Sequence, residues 1–259
     1  MKYKPIVVFL VLFCTFWSCK KDGIPPDYDQ VFSLVNPRTN QEYDINIIEI
    51  EGTGDSEEQL VFYVIDSCVY LNILEQTSYE KDLLFVIIDP KERDSERDYV
   101  PNDITNTSPN SRNSELDPFS RFIVQDVDSM LRSNQVYHST VSKGIIADDT
   151  KGWAASYFFC VHNDFFDNYI IINPNLYWDQ HVFFVYEYTY RPNNKEDTAK
   201  VFLGDYTSND LGNGVAIEAF ATILEEEYPN VEILHNIYDG KENLYLETNL
   251  LMGLKFILE

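Results

Sequence analysis

The stretch Lys143-Gly-Ile-Ile-Ala-Asp-Asp-Thr-Lys-Gly-Trp-Ala-Ala-Ser-Tyr-Phe-Phe-Cys160 decides the fold. It reads as a short buried strand at Ile145 and Ile146, a tight turn from Ala147 to Lys151, and a helix from Gly152 onward. A strand that turns sharply into a helix lifts one side chain to the apex of the turn, and here that residue is Asp149. Such an apex needs small neighbours because its backbone is strained and closely packed. Lys151, long and charged, stands two residues after it, which predicts a relaxed turn.

Outward from this stretch the chain alternates strands and helices. Leu60–Ile65 (LVFYVI) and Leu83–Ile88 (LLFVII) are continuous apolar runs, the pattern of strands buried on both faces of a mainly parallel sheet. Val31–Glu51 holds two further strand-like runs. In the second, alternation slips at Ile47–Ile48, which fits either a bulge or a strand buried on both faces only at its centre. A short helix is expected after Cys68, and apolar residues at helical spacing mark another from Phe119 to Leu131. Strands follow at Tyr169–Ile172, Ala199–Leu203 and Val231–Ile237, and helices at Val215–Tyr228 and Leu244–Leu258. The very aromatic run Val182–Tyr190 has no secure assignment. Lys91–Asp117 is a long polar loop of a kind that is usually functional or mobile. The alternation predicts an α/β chain, a three-layer sandwich with a mainly parallel central sheet flanked by helices.

The 259 residues are 44% hydrophobic and 15% aromatic, which excludes a disordered chain. The net charge is −24, and −26 without residues 1–18, which hold Lys2 and Lys4 and no acid. Such acidity argues against nucleic acid and anionic headgroups as partners. Its plain meaning is solubility.

Lys2 and Lys4 precede the apolar run Ile6–Phe13, too short to span a bilayer, and then Ser18-Cys19-Lys20. The segment resembles a bacterial lipoprotein signal, with residues 1–18 removed and Cys19 lipidated; Phe16 departs from the usual leucine. Secretory cleavage without lipidation, or cleavage at Cys14, is the alternative. The resemblance implies a polar tether over residues 19–30, one domain over 31–259, and attachment to the bacterial cell envelope on a periplasmic or surface face. Cys68 and Cys160 then remain as thiols, expected to be buried and unpaired, although an oxidising envelope would allow a disulfide. His138, His162, His181 and His235 are scattered singly, and no spacing suits a metal, so neither metal nor cofactor is expected.

The landmarks, taken in order, resemble an esterase family of α/β-hydrolases with feruloyl-esterase-like and enterochelin-esterase-like members. Tyr63–Ser67 (YVIDS) is similar to its Y-x-x-D-G, and Ile87–Pro101 to its strand followed by R-x-x-D-[LY]-x-P. Ile170–Asp179 (IIINPNLYWD) is similar to S-P-S-x-W-W-D, and Val201–Asp205 (VFLGD) to the strand carrying the triad acid. Tyr238–Asn243 (YDGKEN) resembles the G-x-D-H segment that supplies the histidine. The resemblance implies an oxyanion-type turn at Ser67 and Thr150 and a cleft lined by Asp66, Arg97, Tyr177 and Trp178.

The catalytic positions depart from the family. Its G-H-S-x-G-G falls on Ala147–Gly152, placing Asp149 where the serine nucleophile belongs. The histidine position falls on Asn243, and the acid position, Asp205, alone is kept. A hydroxyl needs a base within hydrogen-bonding distance to become a nucleophile, and asparagine does not replace imidazole. Ser139, Ser142 and Ser156 are displaced alternatives. An aspartate nucleophile occurs in some α/β-hydrolases, but it needs a histidine-activated water, and His235 falls eight residues before the expected place.

Three readings follow. The first is a lipid-anchored protein that keeps the esterase-like fold without its chemistry and binds a small ester or glycan, or scaffolds. The second is an active ester hydrolase with a displaced or aspartate-based site. The third is a structural, partner-binding lipoprotein with a filled cleft. Asp148, Asp149 and Asp205 fit a solvated rim better than a cation site. Tyr186, Tyr188 and Tyr190 fit packing better than ligand stacking.

Overall fold

The computed structural model describes residues 28–54, 58–65, 79–91, 116–137, 141–206, 211–239 and 244–259; the side chains of 178–180 and 211–212 lie outside that description. One eight-stranded sheet runs through these residues. Its strands are β1 (Gln30–Val35), β2 (Glu42–Ile50), β3 (Gln59–Ile65), β4 (Asp82–Pro90), β5 (Ser142–Asp148), β6 (Asn168–Ile172), β7 (Ala199–Tyr206) and β8 (Val231–Tyr238), in the order β1-β2-β4-β3-β5-β6-β7-β8. From β4 to β8 all pairs are parallel, whereas β1 and β2 join antiparallel.

The two apolar runs became the central strands for the reason their sequence gives. Val61–Ile65 and Leu84–Ile88 are fully enclosed on both faces. Tyr63, Ile65, Val86 and Ile88 face one core, and Phe62, Val64, Phe85 and Ile87 the other. Strand β2 resolves its ambiguous phase the same way. Its register against β4 is unbroken from Tyr43–Pro90 to Ile50–Leu83, so it carries no bulge; Ile45, Asn46, Ile47 and Ile48 are buried on both faces instead.

The larger core is covered by α1 (Leu116–Arg121), a π-helical stretch (Phe122–Val127), α2 (Asp128–Ser133), α3 (Asp149–Val161), α4 (Trp178–Asn194) and α5 (Leu211–Glu227). Helix α6 (Tyr245–Leu258) covers the smaller core with Leu250, Leu254 and Ile257. Gly253 lets α6 come close: a Cβ there would stand 2.8 Å from Ile170 Cγ2 and 3.0 Å from the Phe202 ring. The unassigned run Val182–Tyr190 is helical, within α4. Val182, Phe183 and Glu187 turn inward, Tyr186 and Tyr190 pack against the core, and Tyr188 is exposed. Strand β7 runs past the expected end at Leu203 and takes in Gly204 and Asp205. Among the described residues, no helix is long and apolar enough to cross a membrane.

A charge cluster is buried between α2 and the start of β5. The Asp128 carboxylate accepts hydrogen bonds from Lys143 Nζ at 2.6 Å, Tyr63 Oη at 3.0 Å and Tyr137 Oη, with Arg132 at its outer side. Burial pushes the Asp128 carboxyl up, but the hydrogen bonds from Lys143 and Tyr137 outweigh it and hold the pKa below the ordinary value. Lys143 Nζ also lies 3.9 Å from the centre of the Phe165 ring. Removing one partner of such a pair leaves an uncompensated buried charge, at a cost of about 3–5 kcal/mol. Lys143→Met is expected to lose stability at the lower end of that range, because Arg132 remains; urea unfolding followed by circular dichroism measures it.

Candidate functional site

The site is built at the carboxyl ends of β5, β6 and β7, where open α/β sheets place their ligands. Strand β5 stays extended through Asp148 (φ −129°, ψ 160°), and Asp149 then opens α3 with φ of 49°. The helix thus begins three residues earlier than the sequence predicts, and the turn is a single residue. It is not relaxed. A left-handed φ is strained for most side chains, but aspartate tolerates it better than most. The carboxylate stands exposed at the apex.

The next strand end locks this turn. Asn175 N–H donates to the Asp149 carbonyl at 3.2 Å. Asn173, itself at φ 46°, donates its N–H to the Gly204 carbonyl at 2.6 Å, tying β6 to β7. A Cβ at Gly152 would stand 3.0 Å from Pro174 Cα and 3.3 Å from the Ile172 carbonyl oxygen. Gly152, the last position of the family's elbow motif, is therefore needed for close packing, and Lys151 is half-buried. Thr150 lies half-buried in the first turn of α3, where backbone N–H groups have no intrahelical partner.

Asp205 is the penultimate residue of β7 and is 6% exposed. Its Oδ1 accepts the Tyr206 N–H at 2.7 Å, and its Oδ2 lies 3.5 Å from where a Cβ at Gly214 would be, near the start of α5. Burial pushes the Asp205 carboxyl above its ordinary value, and the Tyr206 N–H and the charge of His235 offset part of that. Asn213 donates to Asn173 Oδ1 at 3.4 Å.

His235 is thus an electrostatic neighbour of Asp205, so the acid does not stand alone as the sequence implies. The strand register sets the distance between the two. Leu203 opposes His235 and Asp205 opposes Ile237, so the histidine lies two residues below the acid, away from the apex. Two strand residues are about 7 Å. His235 Nε2 is enclosed, with no hydrogen bond among the described residues.

Two of the displaced serines, Ser142 and Ser156, lie away from the apex hydroxyl position. Ser156 is fully buried and donates to the Gly152 carbonyl within α3. Ser142 donates to Asp167 at the opposite end of β5. A serine–histidine contact that sequence spacing did not reveal joins Ser120 Oγ to His162 Nε2 at 3.0 Å. Ser120 has no exposed surface and already donates to the Asp117 carbonyl, so His162 is the donor to it. Burial holds His162 below its usual pKa, with Asp164 and Asp117 opposing. The contact joins α1 to the residue that follows α3. Tyr177 is 52% exposed and meets His181 edge to face at 4.8 Å between ring centres. Cys160 is buried with a free thiol, pushed well up by burial. Cys19, Asp66, Ser67, Cys68, Arg97, Ser139 and Asn243 lie outside the described residues, as does the side chain of Trp178. Among the described residues, no group of His, Cys, Asp and Glu could hold a metal ion.

The chain has the α/β-hydrolase fold. It superposes on the BES protein from Bacillus cereus with a TM-score of 0.75 at 16% identity, covering 93% of this chain and 99% of that one. An IroE-like serine hydrolase from Shewanella oneidensis follows at 0.72 and 15%, covering 90% and 80%. The siderophore hydrolase EstB from Aspergillus nidulans gives 0.68 and 13%, covering 93% and 98%. At these identities the likeness is one of fold. No family model matches the chain, and no curated protein matches its sequence.

Two outcomes test this geometry. Asp149→Gly and Asp149→Asn are expected to fold with stability within about 1 kcal/mol of the parent, whereas Asp149→Val loses about 1–3 kcal/mol in urea titrations, because a β-branched residue resists left-handed φ. Asp205 has a folded pKa raised above its unfolded value, so the folded state holds its proton more tightly and stability falls as pH rises through that interval. Asp205→Asn is therefore expected to be more stable than the parent at pH 7. Thermal melts at stepped pH should show the advantage vanish below the ordinary carboxylate value of 3.8.

Proposed function

We propose that this chain is a non-hydrolytic protein on an esterase-like α/β-hydrolase fold. It acts by binding a small ester or glycan, or as a scaffold, at the bacterial cell envelope, where a lipid on Cys19 holds it. The observation that carries the reading is Asp149: the apex keeps the strained geometry of a nucleophile turn but presents a carboxylate in place of a hydroxyl. A serine hydrolase needs an activated hydroxyl at this point, and the general base alone contributes about 10²–10⁴-fold. The sequence supports lipidation through its basic start, short apolar run and Ser18-Cys19.

A second reading has a specific observation behind it. The left-handed apex and the neighbouring Asp205 and His235 are parts from which an aspartate-based hydrolase is made. There the Asp149 carboxylate would displace a leaving group at an alkyl carbon, and water would then hydrolyse the resulting ester. That second step needs a base above the ester, and His235 lies below Asp205 in the strand with its Nε2 enclosed. The binding reading is therefore preferred.

Hydrolysis of p-nitrophenyl and feruloyl esters, and of a primary alkyl halide as the probe for displacement at an alkyl carbon, by the full chain distinguishes them. The expected result is no turnover above background in the parent and measurable turnover in Asp149→Ser with Asn243→His. Parent turnover that Asp149→Asn abolishes would favour the aspartate reading. Turnover that survives Asp149→Ala would sink both.

A further inference from the structure

Among the described residues, strand β1 forms one edge of the sheet and pairs with β2 alone. Exposed edges usually carry a guard: a charge, a proline, a bulge, or a covering element. Gln30-Val-Phe-Ser-Leu-Val35 carries no charge, proline or glycine, and its register against β2 is unbroken. Val31 and Val35 are 58% and 50% exposed. The other edge differs: β8 bears Glu232 and His235 and packs against α5 and α6.

We propose that β1 is the surface on which two copies of this chain join, each β1 lying antiparallel to the other across a two-fold axis at Ser33. Directly opposed residues of an antiparallel pair share a face of the sheet. With Ser33 opposite its own copy, Val31 meets Val35 and Phe32 meets Leu34. On one face this gives Val31–Val35 pairs on both sides of Ser33. On the other it joins Phe32 and Leu34, which already pack against the larger core of their own protomer. The register is self-complementary on both faces, as an isologous contact requires, and it closes at two copies.

Charge points to the same place. Copies with a net charge of −24 repel, and residues 30–37 carry no charge of their own; beside the axis Ser33 Oγ donates to Glu42 and accepts from Lys91 Nζ, so the charges there are an ion pair of opposite sign. In this register Asp29 falls opposite Pro37, and its carboxylate is held within its own protomer by the Glu49 N–H at 2.7 Å.

Cysteine at Ser33 gives the test. Opposed Cα atoms about 4.5–5.5 Å apart fall within disulfide reach. In the full chain, in its own membranes and in a Cys68→Ser background, mild oxidation of Ser33→Cys is expected to give a product of twice the mass; Glu232→Cys on β8 gives none. Sedimentation of the unmodified chain is expected to show a dimer. Val31→Lys with Val35→Lys is expected to convert it to a monomer with unchanged circular dichroism. A monomeric parent overturns the proposal, whether or not Ser33→Cys folds. So does a Ser33→Cys product of any other mass, which would mean that a different chain occupies the edge, and so does cross-linking at Glu232→Cys alone.

Discussion

The close approach of α3 to the end of β6, at Gly152 and Pro174, is the constraint on which the upper half of the molecule depends. It forces β5 to become a helix in one residue, and that in turn forces Asp149 into left-handed backbone. The same contact fixes the loop after β6, whose Asn175 N–H closes on the Asp149 carbonyl. Strain of this kind persists only where the surroundings over-determine it. Here the surroundings are three strand ends sewn together by backbone hydrogen bonds, which hold the apex in its left-handed conformation.

The site and the interior manage charge in different ways. Asp128 is enclosed but answered by Lys143, Arg132 and two tyrosine hydroxyls, and Glu187 by a two-pronged bond from Arg191 and by Tyr228. Asp205 is as well buried yet has, among the described residues, one backbone N–H and a neighbouring histidine. An acid left this poorly compensated costs stability where it stands, and such residues cluster at functional positions. The contrast marks the β7 end as the place where the fold still carries a constraint that packing alone does not explain.

What was legible in the sequence was whatever a single element determines. Leu60–Ile65 and Leu83–Ile88 announced central strands because enclosure on both faces leaves no polar position. Strand β2 left two readings open, since a doubly buried centre and a bulge produce the same phase slip. Helix α4 was obscured because Tyr186, Tyr188 and Tyr190 alternate as in a strand, while Phe183, Glu187 and Asn194 carry the inward helical face. The apex departs from the relaxed turn that the bulk of Lys151 suggests, because aspartate tolerates left-handed φ. The contacts of Ser120 with His162 and of Asp128 with Lys143 join residues that share no motif, and only the folded chain brings them together.

The hairpin of β1 and β2 is pinned at its turn as well as along its length. Arg38 reaches the π-helical stretch through Asp126 and Gln125, and Asn36 donates to the Pro118 carbonyl. Because β1 lies alongside β2, a pull on the chain at Tyr28 along the strand axis would load their hydrogen bonds together, in shear, rather than one after another. The first strand is thus also the mechanical coupling of the domain: tension entering at residue 28 spreads into β2 and, through Arg38, into the helical layer before it can reach the turn at Asp149.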